Sequence, residues 1–118
     1  MAASTARTKY LRIAPRKVRL VANLIRGKKV AEARAILEFT VKRSAPVLKK
    51  LLESAVANVE SQAAEKKQRV HTDDMVIDRI HVDGGPTTRN YMPQPRGRAT
   101  RIRKRSSHVT LSIKDTTE

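Results

Sequence analysis

The chain has no cysteine and no tryptophan, and only one phenylalanine and two tyrosines in 118 residues. Without thiols there are no disulfides, no thiolate zinc sites and no cysteine nucleophile, which fits a reducing compartment. With Tyr10, Phe39 and Tyr91 as the whole aromatic complement, a base-stacking platform on a sheet is not expected. Contact through phosphates and nucleic-acid shape is favoured instead. No run approaches the ~18 apolar residues of a membrane span, and the first residues lack the apolar stretch of a secretory signal. A soluble, cytoplasmic protein with no membrane partner is the expectation. Acid is also scarce, and unevenly so: none occurs from Gly84 to Lys114.

Charge is abundant and segregated. The formal net charge is +15. Residues 1–29 hold nine Lys/Arg and no acid, residues 30–83 hold nine of each sign, and residues 84–118 hold eight basic residues and two acids. All of the excess therefore lies at the two ends. A merely solvated surface interleaves both signs, as the middle does, so the segregation points to a polyanionic partner.

A chain of this length builds one domain with one core. Residues 7–13 can form an edge strand. Pro15 suits the first position of a helix, in which Val18, Val21, Leu24 and Ile25 recur at helical spacing, with Leu20 alongside and Gly27 as the C-terminal cap. The other face of this helix and the residues after it carry Arg16, Lys17, Arg19, Arg26, Lys28 and Lys29. Basic residues near a helix end also suit its dipole, but capping does not require so many. A short second helix follows over Val30–Phe39 through Val30, Ala33, Ile36 and Leu37. Ser44 as cap and Pro46 in the first turn start the strongest helix, whose stripe is Val47, Leu48, Leu51, Leu52, Ala55, Val56 and Val59. Ala55, Ala57, Ala63 and Ala64 permit close approach of another element. Residues 61–74 lose periodicity and read as a solvated connection.

Met75–Asp83 reads as a strand with Val76, Ile80 and Val82 on one face, interrupted by Asp78. In the last strand Val109, Leu111 and Ile113 alternate with His108, Thr110, Ser112 and Lys114, so one face is packed and one wet. The expected fold is α+β: about three helices packed on a small antiparallel sheet, with a long protruding β-hairpin. It forms a single domain, with residues of about 7–83 and 106–114 globular and about 84–105 extended. Hairpin loops usually take 2–5 residues. Here about 25 residues separate the packed strand ends, enough for two arms reaching ~30–40 Å. A free ribbon of that length is marginal in water and too charged to bury itself, so a surrounding partner must order it. Pro93 and Pro95 restrict its turn and Gly97 permits a bulge. Arg96, Arg98, Arg101, Arg103 and Arg105 largely alternate, which points them to one side, with guanidinium forks suited to phosphate.

Enzyme chemistry finds little support. Ser107 and His108 are neighbours on a strand and point to opposite faces. His71, Asp73 and Asp74 sit in a polar connection without a further spaced ligand, and Gly84-Gly85-Pro86 is turn chemistry rather than a phosphate loop. No enzyme, cofactor or metal is expected.

Four segments, in order, resemble one family over roughly residues 7–114. These are Ala14-Pro-Arg-Lys-Val-Arg-Leu-Val-Ala-Asn-Leu-Ile-Arg-Gly-Lys28, Leu52-Glu-Ser-Ala-Val-Ala-Asn58, and Val82-Asp-Gly-Gly-Pro86 followed by Met92-Pro93 and Gly97-Arg-Ala99. The fourth is Lys104-Arg-Ser-Ser-His-Val-Thr110. Together they are similar to the bacterial large-subunit ribosomal protein L22 family. The resemblance implies a structural role in the large ribosomal subunit: organising 23S-type ribosomal RNA during assembly, with a β-hairpin threaded between RNA domains and its tip in the wall of the nascent-peptide exit tunnel. It implies RNA contact by Arg16, Lys17 and Arg19, and by the arm residues Arg96, Arg98, Arg101, Arg103, Lys104 and Arg105; the acid-free charge of residues 1–29 adds Arg7, Lys9, Arg12, Arg26, Lys28 and Lys29 as RNA-binding candidates. It implies a tunnel-lining tip of Arg89, Asn90, Tyr91, Met92, Pro93 and Gln94. The implied partners are the RNA, neighbouring large-subunit proteins and the nascent peptide, with no homo-oligomer. Gly84 and Ala14 depart from the family's usual Glu and Ser. Asn90 and Gln94 stand where the tip is commonly basic, so less tunnel-facing charge is expected. The alternative is a free DNA-bending protein with basic β-arms, which needs an apolar dimer face that the sequence does not supply.

Overall fold

Three helices lie over one face of a three-stranded antiparallel sheet, in a computed structural model that describes residues 3–115. Helix α1 (Pro15–Ile25) opens at Pro15, with the Ala14 carbonyl accepting the N–H groups of Lys17 and Val18. It buries Val18, Val21, Ala22 and Ile25, the i, i+3, i+4, i+7 set of a single stripe. Leu24, expected on that stripe, and Leu20 are instead 48% and 59% exposed. At 100° per residue both lie well round the helix from the stripe, and the small Ala22 takes the inward position. Gly27 ends the helix at φ +77, a left-handed conformation that glycine adopts without strain. Its N–H donates to the Ile77 carbonyl and so ties the helix end to the sheet.

Helix α2 (Val30–Phe39) buries Val30, Ala33 and Leu37. Helix α3 (Ala45–Glu65) buries its apolar stripe from Leu48 through to Ala63, with Val47 only half-buried, and so runs past the point where periodicity fades. It ends on Lys67, which adopts φ 53. The Gln68 N–H reaches the Ala63 carbonyl and the Lys67 N–H the Ala64 carbonyl. That is a left-handed C-terminal cap built without glycine, and without glycine the sequence does not mark it. Ser44 does not cap: its own backbone is already helical, and its buried side chain makes no capping bond.

The sheet order is β1 (Ala3–Leu11), β3 (Arg98–Lys114), β2 (Val76–Gln94). β3 is central, and Ser107, Val109, Leu111 and Ile113 are fully buried. Burying the three apolar side chains contributes about 1.5–3 kcal/mol each, comparable together to a small domain's whole net stability. β3 therefore cannot leave the core without unfolding it. β1 begins four residues before the expected Arg7. Its inward residues there are Ser4 and Ala6, too small to register as a hydrophobic pattern. Ser4 Oγ donates to the Ala55 carbonyl at 2.6 Å, so β1 lies directly on α3 where small residues permit it.

Asp78 interrupts β2 in a different way from the expected one. The register passes from Ile77↔Ile113 to Arg79↔Ser112, which leaves Asp78 as an extra, bulged residue. The bulge reverses the alternation, so Ile77, Ile80 and Val82 share the buried face while Val76 is only half-buried. Asp78 itself pairs with Lys114 at 3.3 Å. The start of β2 is covered by the α1–α2 link: Val30 N–H donates to Met75, and Ile77 N–H to Lys28.

Among the described residues, every buried apolar side chain lies outside 84–106. Replacing residues 88–104 by Asn-Gly leaves Thr87 and Arg105 paired across a two-residue turn. Differential scanning calorimetry should show cooperative unfolding with Tm changed by less than about 5 °C. Loss of the cooperative transition would place part of the stabilising core in the hairpin.

Candidate nucleic-acid interface

Beyond the core the two long strands continue as a ribbon. The molecule consequently measures 68 Å along its long axis and 26 × 19 Å across it. At the base, pairing passes from Gly84↔Ser107 to Thr87↔Arg105, with Gly85 and Pro86 facing Ser106 alone. Ser106 Oγ donates to the Pro86 carbonyl at 2.6 Å. A β-carbon on Gly85 would stand 2.5 Å from that hydroxyl and 3.2 Å from the His108 ring, so a larger residue there would displace the Ser106 hydroxyl from its bond to Pro86. Gly84 has open space around it. The arms then pair without interruption to Gln94↔Arg98. Pro95, Arg96 and Gly97 make the turn, with Arg96 at φ 66 and Gly97 at φ 74.

Two expectations about the ribbon change. The expected tip, Arg89–Gln94, is the outer half of the first arm, and the apex lies beyond it with Arg96, which was expected on the arm. Nor do the arginines all share a side. Arg101, Arg103 and Arg105 lie on one face with Thr87, Arg89 and Tyr91, while Arg98 and Lys104 lie on the other with Thr88, Asn90, Met92 and Ile102. The reason is parity: the turn interposes between Arg96 and Arg98, and Arg98 is an odd number of residues from Arg101.

The arginine face carries a like-charge pair. Arg89 and Arg103 are directly opposed across the ladder, and like charges in that position destabilise a sheet. No acid occurs anywhere from Gly84 to Lys114 to offset them. An external anion seated on this face would neutralise both.

At the base, the hairpin meets the N-terminus of α1, forming a recess on each side. One is a notch of about 720 Å³ that contains Arg16, Arg19, Arg89, Arg103 and Arg105 among its lining residues. The other, about 1100 Å³, is bordered by Arg12, Lys17, Lys42, Arg43, Lys104 and the shared Arg103 and Arg105. Among the described residues, neither lining includes a carboxylate. The uncapped, acid-free first turn of α1 adds its partial positive charge to both.

The nine N-terminal basic residues do not form one patch. Arg12, Arg16, Lys17 and Arg19 border the recesses. Arg26, Lys28 and Lys29 sit at the opposite end of α1, beside Val76–Ile80 and about 20 Å along β2. Arg7 and Lys9 are exposed on edge strand β1. Two of the set also hold the fold together: Arg19 donates to the Val82 carbonyl and Arg26 to the Ile80 carbonyl, both at 2.8 Å. Lys42 and Arg43 went unnoticed because the surrounding region is neutral on average. Their position as adjacent cations in the α2–α3 link was the available signal. Ser107, His108 and Asp73, weighed above for enzyme chemistry, are engaged in structural bonds. Ser107 Oγ donates to the Ile13 carbonyl, and His108 Nδ1 accepts the Tyr10 backbone N–H at 3.0 Å. Asp73 is bound by Arg34, which also holds Glu53.

A model of the family described as "Ribosomal protein L22p/L17e" matches residues 6–114. The chain belongs to that family. It is also 51% identical over 107 residues to the large ribosomal subunit protein uL22 of Maridesulfovibrio salexigens, an alignment covering 91% of this chain and 93% of that protein. The family match runs through the globular part and the whole ribbon alike.

Arg103→Glu turns the like-charge Arg89–Arg103 pairing into an opposite-charge cross-strand pair. The free hairpin should gain about 0.2–1 kcal/mol, seen as slower amide hydrogen exchange in residues 87–105. Affinity for ribosomal RNA should fall in the same variant. Slower exchange with RNA affinity unchanged would mean that this face does not meet the polyanion.

Proposed function

We propose that the protein is a structural constituent of the cytoplasmic large ribosomal subunit that binds its RNA through the hairpin and the base recesses. The directly opposed Arg89–Arg103 pair, in a ribbon without any acid, carries the reading. Such a ribbon is stabilised by a surrounding polyanion and disfavoured without one. Phosphate backbones supply the anion, and arginine forks match their geometry. Membership of a ribosomal protein family identifies the particle and disfavours a free DNA-bending protein.

The role is organisational rather than catalytic. The domain sits against RNA through the α1 N-terminus, and the ribbon passes between RNA segments, presenting Arg101, Arg103 and Arg105 to one side and Arg98 and Lys104 to the other. The outer ribbon, Arg89–Gln94 with the apex at Arg96, lines the nascent-peptide exit tunnel. Tyr91 and Met92 are exposed on opposite faces there, so peptide and RNA can be met at once. Neighbouring large-subunit proteins complete the surroundings. No step of this role needs a metal, a cofactor or a second copy of the chain.

In cell fractionation the chain should sediment with large ribosomal subunits and remain there at moderate salt. Recovery entirely in the ribosome-free fraction is the result that defeats the proposal. In binding to a large-subunit RNA transcript, replacing Arg101, Arg103 and Arg105 by Ala should lower the slope of log K against log salt by about 2–3. An unchanged slope would show that these side chains neutralise no phosphate.

A further inference from the structure

We propose that the larger basal recess is a site for an unpaired RNA nucleotide, with Tyr10 stacking on its base. This rests on the ribosomal reading above and goes beyond it, since phosphate contact alone needs no aromatic. The low aromatic content argued against stacking, but the fold sets one of the three aromatics in the middle of the basic surface. Tyr10 borders the recess together with Arg12, Lys17, Lys42, Arg43 and Lys104.

Its presentation there is built rather than incidental. Tyr10 adopts φ 58, the left-handed region, which is strained for a bulky aromatic residue. It sits in a β1 bulge where Lys9 and Tyr10 interrupt the register between Thr8↔Val109 and Leu11↔Ser107. Two contacts with His108 hold the conformation. The Tyr10 backbone N–H donates to Nδ1 at 3.0 Å, and the imidazole meets the phenol ring edge-on with centroids 4.9 Å apart. A T-shaped neighbour fixes the ring's tilt, yet Tyr10 remains 66% exposed. A strained, clamped and exposed aromatic on a carboxylate-free cationic recess matches the way single-stranded RNA is held: a π-face for the base and cations for the phosphates on either side.

The recess volume of about 1100 Å³ exceeds the ~300–1,000 Å³ of a small-molecule pocket, leaving room for a nucleotide and its flanking phosphates. Duplex RNA does not fit the same role, because its bases are stacked on each other and present no free face. The occupant is therefore a bulged or looped nucleotide. Exposed Leu20 on the same lining offers an apolar contact to the base or sugar.

The test compares Tyr10→Leu, Tyr10→Phe and the double variant Lys42→Ala/Arg43→Ala. Two probes are used: a transcript of bacterial large-subunit ribosomal RNA, and a blunt RNA duplex of about 16 base pairs, the span of a shape-reading contact. Tyr10→Leu should bind the transcript about tenfold more weakly with an unchanged salt slope, while its duplex affinity stays as in the wild type. Tyr10→Phe should bind within about twofold of wild type, because the ring is retained. The double variant should lower the salt slope by about 1.4, from two phosphates on a single strand. Thermal unfolding checks that each variant is folded. Should Tyr10→Leu fail that check, ultraviolet crosslinking of the wild-type complex decides, with a Tyr10 adduct expected on an unpaired nucleotide. Wild-type transcript affinity in folded Tyr10→Leu, an equal loss on the duplex, or an adduct on a paired base overturns the proposal. The first result would leave the recess to a protein neighbour. A wild-type chain that fails to bind the transcript at all counts instead against the ribosomal reading itself.

Discussion

β3 is hydrogen-bonded on both of its edges from Ser107 to Lys114, and on one edge only from Arg105 out to Arg98. The rest of the molecule depends on that change. Where β3 has two neighbours and a helical layer over it, alternate residues go to zero exposure and the fold acquires its core. Where β1 ends, the remaining two strands have no apolar face to cover, and the ribbon projects. One continuous strand thus transmits the rigidity of the domain to an element that a two-stranded hairpin cannot supply for itself.

The join between the two regions is where polar detail concentrates. Ser107 fastens β3 to Ile13, Ser106 closes the bulge at Pro86, and His108 clamps Tyr10. Three successive residues of β3 therefore fix the chain entering α1, the base of the ribbon and the β1 bulge. Arg19 and Arg26 add bonds from α1 to β2 carbonyls. These bonds set α1's N-terminus beside the ribbon, which is what creates the two recesses. Charge is then used twice, since cations that position the helix also contribute to the field that an RNA backbone meets.

Much of the architecture was legible in residues. The stripe from Leu48 to Val59, the alternation Val109–Leu111–Ile113, Pro15 and Gly27 at the ends of α1, and the acid-free span after Gly84 each have one physical interpretation. What failed was parity and termination. Asp78 looked like a polar break in a strand, but a single extra residue turned the alternation over. Leu24 looked inward on spacing alone, yet the stripe closed around Ala22. The end of α3 was invisible because Lys67 occupies a left-handed cap that usually signals itself as glycine. At the interface, residue type was readable but grouping was not. Arg26, Lys28 and Lys29 separate from Arg12, Arg16, Lys17 and Arg19 because one helix carries them to its two ends, while Lys42 and Arg43 arrive from a neutral stretch.

By itself the sequence determined that the protein has one neutral, cysteine-free core and a basic, unburiable extension, because burial and net charge are properties of composition and local period. Family membership follows from the same residues. Only the tertiary structure decided which cations share a surface, that Arg89 opposes Arg103, that the apex falls at Arg96, and that a lone tyrosine stands in the basic recess. Those are matters of register and of contact between distant segments, set by where bulges shift a ladder and where side chains tie helix to strand. The strongest clue, the span without acid, acquires its meaning only there: charges that a sequence merely counts become an opposed pair that needs a partner.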